Sequence, residues 1–121
     1  MRVDSAGTSA VWGAPASEGS LYAAELSGLD LSGHRSQPLT YELIENADII
    51  LGMTANHVAA VEAMGGEKEV SLVTEFMQGS GSGDAIRDPL GGPPEEYVEV
   101  NERISEAVEA LLTRLEAILS P

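Results

Sequence analysis

A parallel α/β sheet with helices on both faces is the fold class this sequence predicts, and three observations predict it. The run from Ala47 to Met53 is continuously apolar after Asp48, the pattern of a parallel strand buried on both faces. Val70 to Val73 repeats that pattern as a second buried strand. Between and after these runs the apolar period changes to that of a helix, and strands alternating with helices imply a parallel sheet.

In chain order, Arg2 to Ser5 reads as a short extended segment running into a turn at Gly7. Gly13, Pro15 and Gly19 mark a loop, and Ser20 to Ser27 reads as a helix with Leu21, Ala24 and Leu26 inward, ended by Gly28. Leu29 and Leu31 re-enter the core before a turn at Gly33. Thr40 is a suitable N-cap for a helix through Asn46. Thr54 caps a further helix through Met64, with Val58, Val61 and Met64 at helical spacing and Gly65-Gly66 as its stop. Gln78 to Gly92 is a long polar loop, of the length that is usually functional or mobile. Glu95 to Leu119 carries Ile104, Val108, Leu111, Leu115 and Ile118 four and three residues apart, an amphipathic helix laid on a sheet. No repeat or linker divides the chain, so residues 1–121 are read as one domain.

Composition removes several function classes. Twenty acidic residues against six basic ones give a net charge of −14. Phosphate backbones and anionic lipid surfaces need Lys and Arg to neutralise them, so neither nucleic acid nor membrane is an expected partner. The acidic excess is read as a solvated surface, with attraction to basic partner proteins as the sharper alternative. No apolar run approaches the roughly 18 residues that span a bilayer, and no signal peptide is visible, so a soluble cytoplasmic protein is expected. The sequence has no cysteine, which removes disulfides and thiolate metal sites. With two histidines and no metal-ligand spacing, neither a metal nor a cofactor is expected.

Asp88 is the first candidate for chemistry. Pro89 keeps it out of a helix and Gly91-Gly92 lets the backbone turn, so its carboxyl stands on a rigid loop. Such a group acts as a general acid beside a phosphate pocket, whereas the motif by itself more readily describes a plain turn. His34 sits in a turn, where structural hydrogen bonding is the commoner role. His57 falls in the first turn of a helix, at a position expected to be exposed. Gly79 to Gly83 imitates a phosphate cradle but lacks the terminal Gly-Lys-Ser/Thr, and reads as a flexible loop.

Four segments in fixed order carry a resemblance: Ser5-Ala6-Gly7-Thr8, Asp30-Leu31-Ser32-Gly33-His34-Arg35-Ser36, Ala47 to Thr54, and Asp88-Pro89-Leu90-Gly91-Gly92. Together they resemble the low-molecular-weight protein phosphatase family. Pro38-Leu39-Thr40-Tyr41-Glu42-Leu43 and Ala55-Asn56-His57 lean towards its bacterial protein-arginine-phosphatase branch. The resemblance implies a flavodoxin-like sheet and hydrolysis of phosphotyrosine or phosphoarginine in phosphorylated protein substrates through a phosphocysteine. By resemblance Asp88 is the general acid, while Ser5 and His34 support the phosphate loop by hydrogen bonds. By resemblance Leu90 stands at the substrate entrance, where it departs from the family's usual aromatic, which weakens substrate preference by analogy.

The family opens with a mid-sheet strand, a Cys-x5-Arg phosphate loop and a helix, about 30 to 40 residues in all. No counterpart is present here, and Met1 falls where the second strand should begin. The expectation is an incomplete domain, catalytically inactive alone, with a strand at Val3 and an uncovered sheet through which it self-associates. A fragment, a non-catalytic pseudophosphatase acting as a protein-binding module, and a split enzyme completed by another chain are the alternatives. Thioredoxin-linked arsenate reductases share the architecture but need further cysteines, and none exists here.

Overall fold

The computed structural model describes residues 2–64, 69–79 and 81–119. Two strands, β1 (Ile50–Gly52) and β2 (Val70–Leu72), pair in parallel with Ile50 opposite Val70 and Gly52 opposite Leu72. The helices are α1 (Glu18–Leu26), α2 (Tyr41–Asn46), α3 (Ala55–Ala63) and α4 (Pro94–Leu119), with a 3₁₀ turn at Val73–Phe76. The α/β class and the parallel pairing are those expected. Among the described residues the sheet has two strands.

Local capping chemistry fixes the helix starts. Thr40 Oγ1 accepts the Leu43 N–H at 3.2 Å, and Thr54 Oγ1 accepts the His57 N–H at 3.4 Å. Ser17 does the same for Ser20 at 3.2 Å, so α1 begins at Glu18, two residues before the expected start, and includes Gly19. Each cap satisfies one of the N–H groups that a helix start leaves unpaired. Gly28, with φ of 76°, follows the end of α1 as expected of a residue free to turn left-handed.

Successive residues of β1 face opposite layers. Leu51 and Met53 pack on the core of Val73, Ile86 and Ala107, which carries α4. Gly52 faces α3, where a Cβ would stand 3.1 Å from the His57 Cβ and 3.3 Å from the Val58 Cγ2. Helices therefore lie on both faces of the strand. Tyr97, Ala107 and Leu111 are the buried residues of α4, with Val100, Ile104 and Leu115 half-buried. This stripe replaces part of the expected one: Val108 is 37% exposed, because α4 turns Ala107 into the contact with the core. On α1 the inward residues are Ala23 and Ala24, and Leu26 is 61% exposed.

Three other expectations are corrected. Residues 2–6 form no strand, and Val3 is 80% exposed. A strand exists only in a ladder, and the pairing in this region is limited to a bridge between Gly7 and Pro38, with the Gly7 N–H on the Gln37 carbonyl at 3.0 Å. Val73 leaves the sheet and opens the 3₁₀ turn. The 78–92 loop is not free of the core: Ile86 is buried, and the buried Thr74 hydroxyl donates to the Asp84 carbonyl at 2.6 Å. The expected Gly65-Gly66 stop and the side chain of Ile118 lie outside the described residues.

Gly19 marks the closest approach of α1 and α4, since a Cβ there would collide with the Tyr97 ring. Alanine at a helical glycine normally gains about 1 kcal/mol. Forcing the two helices apart costs about 1–3 kcal/mol, which outweighs that gain. Gly19→Ala should therefore lower the denaturation midpoint. Gly33→Ala, where a Cβ meets nothing within 4 Å, should not.

Candidate active site

A cavity of about 330 Å³ opens beyond the C-terminal end of β1. Ser20 and Ala23 of α1 and Tyr97 to Ile104 of α4 form one side; Met53, His57 and the Ile86–Pro89 segment form the other. Open parallel sheets bind ligands at this end of their strands. The site follows from the loop's anchoring. The Ile86 N–H donates to the Met53 carbonyl at 2.8 Å, which extends the strand end by one bonded residue and brings Asp88 to the cavity wall.

Asp88 is exposed to solvent, and its Oδ1 accepts the Leu90 N–H at 3.0 Å. The Gly92 N–H closes the turn on the Pro89 carbonyl at 2.7 Å, with Gly91 at φ of 82°. This is an Asx turn followed by a glycine turn. It engages one carboxyl oxygen, and Oδ2 has no protein partner among the described residues. A carboxyl so held can present a proton into the cavity. Arg87 adds a guanidinium to the same lining.

The other expected site residues stand apart from this cavity. Ser5 is exposed, and it is its carbonyl, not its hydroxyl, that is engaged, by the Gln37 side-chain amide at 2.8 Å. His34 is also exposed, its N–H bonded to the Leu31 carbonyl at 3.0 Å. The segment around it is ordered by Asp30, whose Oδ1 accepts the Ser32 N–H at 2.9 Å. Hydrogen bonding from Ser32 holds the Asp30 carboxyl below its ordinary range. The turn delivers Leu31 to the cavity lining and leaves His34 outside it. Leu90 is 74% exposed and does not line the cavity; it follows Pro89, which does.

His57 is the residue that sequence reading misplaced. It is half-buried, lines the cavity, and its Nδ1 accepts the Met53 N–H at 3.3 Å. The signal that locates it is Gly52, whose missing Cβ lets the first turn of α3 close on the strand. Among the described residues no group of three or more His, Cys, Asp or Glu side chains could hold a metal ion. No described helix is long and apolar enough to cross a membrane.

Comparison with known proteins places this arrangement. The profile of the low molecular weight phosphotyrosine protein phosphatase family matches residues 1–119. A protein-arginine-phosphatase of Bacillus subtilis (strain 168) is 34% identical over 84 residues, which cover 68% of this chain and 55% of that protein. The match thus spans about half the length of that relative. A probable low molecular weight protein-tyrosine-phosphatase, EpsP, of Ralstonia nicotianae is 31% identical over 118 residues, covering 98% of this chain and 79% of that protein. Among solved structures, the YwlE arginine phosphatase from Geobacillus stearothermophilus superposes with a TM-score of 0.85 at 28% identity, covering 94% of this chain and 73% of that one. With a family profile matched from end to end of the sheet and a fold shared with its solved members, this chain belongs to the low molecular weight phosphotyrosine protein phosphatase family.

Proposed function

We propose that this chain is the acid-bearing part of a protein phosphatase domain that hydrolyses phosphotyrosine or phosphoarginine in proteins. The observation that carries the reading is Asp88, fixed on the wall of the cavity at the C-terminal end of β1. In the chemistry the family implies, a cysteine thiolate attacks phosphorus. The bond from phosphorus to the leaving oxygen or nitrogen breaks as the Asp88 carboxyl gives that atom its proton. Water, losing a proton to the Asp88 carboxylate, then attacks the phosphocysteine and releases phosphate and thiolate. Ser5 and His34 are given the supporting role by resemblance to the family, and both are exposed. Leu90, exposed beside the Asp-Pro turn, fits the rim that a substrate side chain passes.

The thiolate is the part this sequence does not contain. Turnover then requires a Cys-x5-Arg loop from residues beyond these 121 or from another polypeptide, and the chain alone is inactive. Assays on an aryl phosphate and on phosphoarginine peptides test this directly. The expected result is no turnover above buffer; turnover that Asp88→Ala abolishes would refute it. The absence of any cysteine also favours a second reading, a non-catalytic module that binds phosphorylated proteins. Retained binding of a phosphopeptide by the 121-residue chain, competed by free phosphate, would select that reading.

A further inference from the structure

We propose that His57 is a positioning residue for Asp88, acting through the backbone of Met53. Two hydrogen bonds and the short backbone from Ile86 to Asp88 connect them, and a third bond fixes the carboxyl. The imidazole Nδ1 accepts the Met53 N–H at 3.3 Å. The carbonyl of that same residue accepts the Ile86 N–H at 2.8 Å. Two residues further on, Asp88 Oδ1 holds the Leu90 N–H at 3.0 Å.

The geometry around this relay is built for it. Met53 is the first residue past β1, where the ladder with β2 has ended at Gly52, so its N–H has no strand partner. Without the ring that half-buried donor would be left unsatisfied, and a strand end with an orphaned donor frays. Gly52 is what admits the ring, since a Cβ at that position would press on the His57 Cβ. Thr54 fixes the other side, capping α3 through the His57 N–H, so His57 is held by its backbone and free to act with its side chain. Accepting at Nδ1 requires the ring proton to sit on Nε2. Ile86, only 2% exposed, then transmits the position of the strand end to the loop as a rigid anchor. The Pro89 ring restricts the backbone of Asp88 itself, the residue that carries the carboxyl.

The functional weight of this inference rests on Asp88 being the working carboxyl; the structural relay does not. Residue-resolved amide hydrogen exchange on the 121-residue chain separates the two. His57→Ala should accelerate exchange at Met53 and Ile86 by roughly five- to tenfold relative to the fully buried Ala107 of α4, the size of one lost hydrogen bond. His57→Asn, which offers Oδ1 near the place of Nδ1, should recover most of the protection. Equal acceleration at Ala107 would reduce His57 to a general stabiliser and overturn the proposal. So would unchanged exchange at Met53 and Ile86, an asparagine variant no better than alanine, or a wild-type chain unprotected at both amides. If Asp88→Ala left the turnover of a completed domain unchanged, the catalytic reading would fail while the exchange result stood.

Discussion

In sedimentation at micromolar concentration the 121-residue chain should run as dimers or larger species, and it should melt broadly. Its accessible surface is 8508 Å², more than a third above the about 6,200 Å² typical of a folded monomer of 12.6 kDa. The excess is of the order that a stable protein–protein interface removes. It includes apolar side chains that folded monomers ordinarily cover: Val3, Val11, Trp12, Leu26 and Leu29 are each more than half exposed. β1 adds an edge with no described strand beside it, a template for pairing with another chain. Opposing this is the charge of −14 on every copy. The two effects separate by salt. Raising ionic strength from about 0.1 to 1 M shortens the screening length from roughly 10 to 3 Å, so association should strengthen with salt. A sharp, cooperative melt from a clean monomer at both salt concentrations would contradict this.

Once the domain is completed by a strand, a Cys-x5-Arg loop and a helix, Asp88→Ala should lower kcat by roughly 100- to 10,000-fold. The loss should be largest on substrates with poor leaving groups and smallest on activated aryl phosphates, whose leaving oxygen needs no proton. Asp88→Asn preserves the turn, because its side-chain oxygen still accepts the Leu90 N–H, yet it has no proton to give. A similar loss with both variants would assign the effect to proton transfer. Recovery with asparagine would assign it to the turn.

What the sequence disclosed and what it withheld divide along the range of the forces involved. Thr40 and Thr54 were readable because a cap acts on a backbone N–H three residues away. The long period of α4 was readable because a helix on a sheet repeats its contact every turn. Ser17 was missed because Gly19 looks like a loop residue until the Tyr97 ring, far along the chain, explains its absent side chain. The strand expected at Val3 depends on a neighbour that no local pattern supplies. Ile86 was hidden in a polar loop, and only the Met53 carbonyl and the core beneath show why one apolar residue belongs there. For the candidate site, the Asp-Pro turn announced Asp88, since proline and glycine act locally. Nothing local placed His57 on the cavity wall, or kept Ser5 and His34 off it.

The measurement that bears most directly on this account is phosphatase turnover with and without a supplied thiolate. The chain would be joined in frame behind the first strand, Cys-x5-Arg loop and helix of a family member, then assayed on an aryl phosphate and a phosphoarginine peptide beside the 121-residue chain. Turnover is expected only in the joined protein, lost when the added cysteine becomes serine and strongly reduced by Asp88→Ala. A joined protein that folds as a monomer but stays inactive, or one indifferent to Asp88, would contradict it.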